Sequence, residues 1–239
     1  SKALDVLGEG CIFPMLYNDD AIIPGVAKAL NVSEEEAQRY HPLGCGEYML
    51  AGCSPSLLNC AMSVPKTLDA AMRNGQNPEG RTVGLPTGDA REFESYDELW
   101  SAFEKQIDFG LNLTARVHAV NNEVMPGEAA FLFASLLTDD CLERNESILG
   151  GGVRHHGACV MAHGFTNAAD GLMAIKKLVF EQERVSMDEL LAALDADFVE
   201  WEDLQRDLLA YPKFGNDNDE VDEILVETWR RINQASARA

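Results

Sequence analysis

The stretch YHPLGCGEYML, Tyr40 to Leu50, decides how the rest of the sequence is read. Cys45 stands between Gly44 and Gly46, and Glu47 follows two residues after the thiol. Glycine tolerates positive φ and lets the backbone approach other groups closely, so Cys45 can stand at the tip of a tight turn. In an extended pattern, side chains two apart project to the same face, which puts Glu47 beside Cys45. Such a thiol can be a nucleophile or a one-electron centre, with the carboxylate as general acid or base. The same residues also suit a small buried cysteine next to a surface glutamate, and the tetrapeptide alone leaves both readings open.

The 239 residues are 46% apolar and 25% charged, enough for a sizeable core in one large domain or two small ones. Forty acidic against nineteen basic residues give a formal charge of −21. That surface repels phosphate backbones and anionic bilayers, so the expectation is no nucleic acid and no membrane. No apolar run approaches the roughly 20 residues that span a bilayer. The opening SKALDVLGEG has neither the charged start nor the apolar centre of a secretion signal. It also lacks methionine, which suggests a processed or cut chain. Six cysteines (Cys11, Cys45, Cys53, Cys60, Cys141 and Cys159) form no C-x-x-C pair. Free thiols in a reducing cytoplasm follow, rather than a disulfide framework or a structural zinc site.

Three serines are each followed three residues later by glutamate: Ser33–Glu36, Ser95–Glu98 and Ser186–Glu189. In each, the serine oxygen can accept an orphan N–H while the glutamate reaches back to the serine's own N–H, predicting three helix starts. The second leads into Leu99, Trp100, Phe103 and Ile107 and a helix to about His118. Further helices are predicted at 67–74, 128–145, 167–182 (capped by Asn167), 202–210 and 219–235, with Gly75 closing the first. Strands are predicted at 11–16, 40–44 and 153–161. Strands alternating with longer helices point to an α/β arrangement. The Gly-, Pro- and Asn-rich segment 74–92 is a series of turns and a possible domain boundary.

Other constellations are weaker. RHHGACVMAH places His155, His156, His163 and Cys159 within ten residues, but no metal-ligand spacing appears and a strand would point His155 and His156 to opposite faces. Gly150–Gly152 lack the context of a phosphate loop. YNDD (17–20) and PKFGNDND (212–219) lack the oxygen spacing of a calcium loop, so turns and caps explain them better. No cofactor-binding residue and no metal ligand is assigned.

Longer stretches carry a resemblance. LYNDDAIIPGVAKALNVSEEEAQRYHPLGCGE (16–47), LPTGDAREFESYDELWSAFEKQ (85–106), GGGVRHHGACVMAHGFTNAADGLMAIKKLVFEQERVSMDELLAAL (150–194) and YPKFGNDNDEVDEI (211–224) occur in order. They resemble, in turn, the N-D-D segment and G-C-x-E loop, the T-G-D region, the Gly-rich strand with its A-D-x-L-x-A-I-K-K-L-V-F helix, and the P-K-[YF]-G-N-D-x-D-x-V-D signature of the glycyl radical enzymes. The likeness to this pyruvate formate-lyase-like superfamily runs from about residue 12 to 225.

The resemblance implies part of an α/β barrel, the C-terminal half-barrel with its cysteine loop threaded inside. Cys45 would be the thiyl site that takes hydrogen from a small-molecule substrate. Glu47 would be the acid or base of the family's dehydratases, C–N and C–S lyases and decarboxylases. The radical would come from a glycine on a C-terminal loop, installed by a separate activating enzyme that uses S-adenosylmethionine and an iron–sulfur cluster, and the complete enzyme would be an oxygen-sensitive homodimer. There are departures. Gly46 replaces the second cysteine of pyruvate formate-lyase, which disfavours formate acetyltransferase activity. Tyr48 replaces the usual proline, as a pocket wall or as packing. Cys53 and Cys60 are expected to pack. No R-V-x-G-aromatic motif occurs: RVHAV and RVSMD lack the glycine. The expectation is therefore a fragment, 1–239, lacking the glycyl radical loop and inactive alone. The rival is a non-catalytic truncated or split-gene product that needs a partner. A thiol hydrolase using Cys45 with His41 lacks an orienting group.

Overall fold

The computed structural model describes residues 2–11, 16–43, 47–55, 58–156 and 159–239. In chain order its elements are α1 (Lys2–Gly8), α2 (Asp19–Leu30), α3 (Glu34–Ala37), β1 (Tyr40–Leu43), β2 (Glu47–Leu50), β3 (Leu58–Ser63), α4 (Val64–Met72) and α5 (Tyr96–Glu128). They continue with α6 (Leu132–Leu136), α7 (Cys141–Arg144), β4 (Cys159–His163), α8 (Phe165–Ile175), α9 (Met187–Asp195), α10 (Glu202–Leu209) and α11 (Asp219–Ser236). This is a mixed α/β chain, as the alternation of patterns predicts. Among the described residues β1 pairs with β2 and β3 with β4.

The chain forms two compact units, 1–58 with 122–159, and 59–121 with 160–239. The second unit holds the larger core. Leu99, Phe103 and Ile107 of α5 pack in one apolar cluster with Val64 and Leu68 of α4, Leu172 and Met173 of α8, Leu190 and Leu191 of α9, and Val221 of α11. Burying each such large side chain is worth roughly 1.5–3 kcal/mol relative to exposure. Trp100 joins this cluster at its edge, with its ring 5.9 Å from that of Phe103.

The second unit also fastens segment 74–92. Gly75 has φ +78°, and a Cβ there would lie 2.1 Å from the Leu85 carbonyl oxygen, so only glycine fits. Buried Gln106 of α5 accepts from Leu85 N (3.0 Å) and donates to Leu85 O (2.6 Å) and to Thr87 Oγ1 (3.0 Å). Two family-like signatures meet here as well: Asp170 of α8 accepts from Phe214 N at 2.8 Å, tying the A-D-G-L helix to the P-K-F-G turn. Asn218 caps α11, accepting from Val221 N at 3.3 Å. Glu220 then pairs with Lys176 (2.6 Å) and Lys177 (2.8 Å) beyond the end of α8.

The three serine caps differ in outcome. Ser186 closes the full reciprocal box with Glu189. Ser95 accepts from Glu98 N at 3.4 Å, but the Glu98 carboxylate takes Glu94 N (2.6 Å) instead of Ser95 N. Ser33 accepts from Glu36 N at 3.1 Å.

Several predicted boundaries are corrected. α5 runs ten residues past His118, because its helical pattern meets no breaker before Pro126. The helix predicted at 128–145 is two short ones, interrupted at Phe131 (φ 45°) and Asp140 (φ 72°), both left-handed. α8 starts two residues before Asn167, with left-handed Gly164 (φ 78°) as its cap. Of the strand predicted at 153–161, residues 153–156 are not strand, and β4 covers Cys159–His163. Residues 12–15, the body of another predicted strand, lie outside the described residues.

Candidate active site

β1 and β2 form an antiparallel hairpin in the first unit, with Tyr40 opposite Leu50, His41 opposite Met49, Pro42 opposite Tyr48 and Leu43 opposite Glu47. Three residues separate the strands in sequence: Gly44, Cys45 and Gly46. Cys45 thus falls at the hairpin connection but outside the described residues. Glu47 is the first paired residue of β2 and is half-buried. Alternation puts Glu47 on the face of His41 and Met49, and Tyr48 on the face of Tyr40 and Leu50. Tyr48 is 53% exposed and meets the Tyr40 ring edge-on at 5.9 Å, a packing contact.

The N-D-D segment anchors this hairpin. Asn18 caps α2 by accepting from Asp20 N at 3.1 Å. Asp19 accepts a hydrogen bond from the Tyr40 hydroxyl. That bond, followed by burial, pushes the Tyr40 phenol up to about 12. Behind the strands, Arg39 donates to Ala51 O (3.0 Å), and Leu50 N donates to Ser54 Oγ (2.8 Å). Leu50 and Cys53 are buried with Val26 and Ala37, against Ile22, Ile23 and Leu30 of α2.

The second segment of this unit meets the hairpin's base. Asp139 N donates to Gly52 O (2.8 Å), and His155 N to Cys53 O (3.0 Å). Arg154 binds Asp140 through Nε (2.9 Å) and Nη2 (3.2 Å) and lies 3.5 Å from Glu36. Those bonds hold the Asp140 carboxyl below the usual range. His155 Nε2 is also 3.5 Å from Glu36 Oε1. Burial pushes the Cys53 thiol up.

Of the remaining sequence candidates, Cys53 is buried, as a packing thiol should be, while the side chains of Cys60 and Cys159 lie outside the described residues. His118 is buried in α5, and its nitrogens have no hydrogen-bond partner among the described residues. Burial lowers its pKa. His155 and His156 lie before β4 rather than in a strand, and His163 ends β4, exposed. Ile148–Gly152 form a single wide helical turn in which Gly151 is left-handed (φ 98°). Sequence reading missed β2 and β3, and it missed the meeting of Glu36, Cys53 and His155. A cleft of about 730 Å³ in the second unit, lined by Lys66, Thr67, Gln76, Glu79, Gln106 and Leu113 among others, includes none of the candidate catalytic residues.

The chain, a mixed α/β fold whose motifs resemble those of glycyl radical enzymes, belongs to the pyruvate formate lyase-like family, whose sequence profile matches residues 1–238. It is 33% identical to trans-4-hydroxy-L-proline dehydratase of Clostridioides difficile, over 99% of this chain and 30% of that protein. It is 30% identical to isethionate sulfite-lyase of Desulfovibrio desulfuricans, over 90% of this chain and 26% of that protein. The solved hydroxyproline dehydratase of Clostridioides difficile superposes on 98% of the chain with a TM-score of 0.85 at 30% identity. The B12-independent glycerol dehydratase of Clostridium butyricum gives a TM-score of 0.85 at 26% identity, again over 98% of this chain and 30% of that one. The chain therefore spans about 30% of the length of the relatives it matches. No helix among the described residues is long and apolar enough to cross a membrane.

Proposed function

We propose that this chain supplies the hydrogen-abstracting portion of a glycyl radical dehydratase or lyase acting on a small molecule. The observation that carries the reading is the hairpin register, with a glycine-flanked cysteine between the strands and Glu47 at the first paired position. In this reading the Cys45 sulfur, as a thiyl radical, takes a hydrogen atom from a substrate C–H, becoming a thiol and leaving a carbon radical. Glu47 gives a proton to the neighbouring leaving group, hydroxyl in a dehydration, and regains one from the adjacent O–H or N–H. The product radical then takes the hydrogen back from the Cys45 thiol, which restores the thiyl radical, and the carboxyl also ends as it began. The radical itself would come from a glycine outside these residues, raised by a separate activating enzyme. Such a thiyl must be kept from water and oxygen, which a closed protein interior achieves.

The test is Cys45→Ala in the intact, activated enzyme: turnover falls to background while the glycyl radical spectrum persists. Retained turnover would sink the assignment. Glu47→Gln should lower turnover by roughly 10²–10⁴-fold, the usual worth of a positioned acid or base. A second reading, a chain that works only when docked on a separately made remainder, draws support from Leu132, Phe133 and Leu137, which are 71%, 76% and 70% exposed.

A further inference from the structure

Glu36, Cys53 and His155 come from three separate parts of the first unit: α3, the turn after β2, and the segment before β4. One ligand atom from each lies within 4.8 Å of the other two. Glu36 Oε1 and His155 Nε2 are both inaccessible to solvent and have no hydrogen-bond partner among the described residues, although they sit 3.5 Å apart. Orphaned buried donors and acceptors cost free energy, and a shared ligand between them removes that cost. We infer that these three side chains form a site for one divalent cation of the zinc class, joining the base of the β1–β2 hairpin to the segment that precedes β4.

The donor set of thiolate, imidazole and carboxylate suits zinc. In a tetrahedral site with metal–ligand bonds of about 2.1 Å, neighbouring nitrogen and oxygen ligands are about 3.4 Å apart, close to the observed separation. A thiolate edge is slightly longer, about 3.6 Å, so with all separations within 4.8 Å the Cys53 sulfur needs to move by about 1.2 Å at most. The fixed charges agree. Three carboxylates (Glu36, Asp139, Asp140) and two guanidiniums (Arg39, Arg154) face this space, a net charge of −1 with Cys53 as thiol. A divalent ion that displaces the Cys53 proton brings the cluster to zero (−1 + 2 − 1). Arg154, the nearest competitor for Glu36, is committed to Asp140 at 2.9 and 3.2 Å and stays 3.5 Å from Glu36, beyond good hydrogen-bond length. The binding step is proton for metal: the S–H proton leaves to solvent and a metal–sulfur bond forms, with no redox change. The fourth position is left to solvent. The site does not depend on the role of Cys45.

The experiment uses the intact protein, stripped with chelator and titrated with cobalt(II) without oxygen. One cobalt per chain should bind saturably, with thiolate-to-metal charge-transfer absorption, and zinc(II) should displace it. Zinc should raise the unfolding midpoint with concentration. Cys53→Ser and His155→Gln should each abolish the band, while Cys141→Ser and Cys11→Ser retain it. If Cys53→Ser fails to fold by circular dichroism, His155→Gln, at a partly buried position outside the apolar cluster, carries the test. Absence of saturable binding, or a band that survives His155→Gln, overturns the site.

Discussion

The first unit is held by directional polar fastenings around a small apolar cluster, and the second by a long series of interlocking apolar side chains. Around the hairpin the contacts that fix position are Asp19 on Tyr40, Arg39 on Ala51, and His155 on Cys53. In the second unit Leu99, Phe103, Ile107, Leu172 and Leu191 are all essentially inaccessible, and the polar bonds mostly stitch loops to them. Apolar burial supplies energy without direction, whereas hydrogen bonds supply direction with little net energy. The residues proposed for chemistry sit where direction dominates. The mass of the core lies elsewhere.

Truncating the larger core tests that division hardest. Phe103→Ala, at a fully buried site, should cost about 3–5 kcal/mol. Denaturant unfolding followed by amide exchange should show the loss concentrated in α4, α5, α8 and α11. Equal loss of protection in β1 and β2 would break the comparison. Leu50→Ala should cost less, near the ~2 kcal/mol end of the range for Leu truncations, because few buried neighbours surround it. Its exchange signature should be confined to the hairpin and α2. Ser186→Ala, which removes a complete capping box, should cost about 1 kcal/mol and fray only the start of α9.

The smallest effect is a pH dependence in the first unit. The folded Tyr40 phenol is raised from 10.0 to about 12 by its bond to Asp19. A raised folded value means the stabilisation is complete below pH 10 and fades as pH climbs from 10 towards 12. Amide protection in β1 and β2 should fall across that window and become insensitive to it in Tyr40→Phe. The readout must be local, because buried Tyr96 in the second unit is also raised. A hairpin equally protected at both ends of the window would show that the Asp19 anchor is incidental.

Legibility in the sequence follows the same division. Helices with a serine cap and a one-sided apolar stripe were readable because cap and period are local: α9 begins at Met187, directly after its predicted cap. The family-like motifs were readable too, and the chain's fold agrees with them. What escaped depends on distant partners. β2 (EYML) and β3 (LNCAMS) are short, without a sustained alternation of their own, and their strand character comes from pairing with β1 and β4. The breaks at Phe131 and Asp140 rest on left-handed backbone, which is uncommon for a bulky residue such as Phe131 and only somewhat commoner for aspartate. Glu36, Cys53 and His155 were invisible as a group because spacing rules search within a segment, and these three span 36 to 155. The proposal for Cys45 starts from its flanking glycines, and the hairpin register adds paired strands before and after it in sequence.

The first unit is built from two stretches, 1–58 and 122–159, and this sets an order of events during synthesis. The hairpin leaves the ribosome well before Asp139, Arg154 and His155, which close over its base. Cys53 and His155 are about a hundred residues apart, so at about 5–20 residues per second the strands wait roughly 5–20 s for their last fastenings. During that interval α4 and α5 of the other core are already emerging, while α8, α9 and α11 follow only after His155. A nascent chain stalled between residues 60 and 120 would present the hairpin without its clamp, and in that window chaperones or stray thiols would meet it.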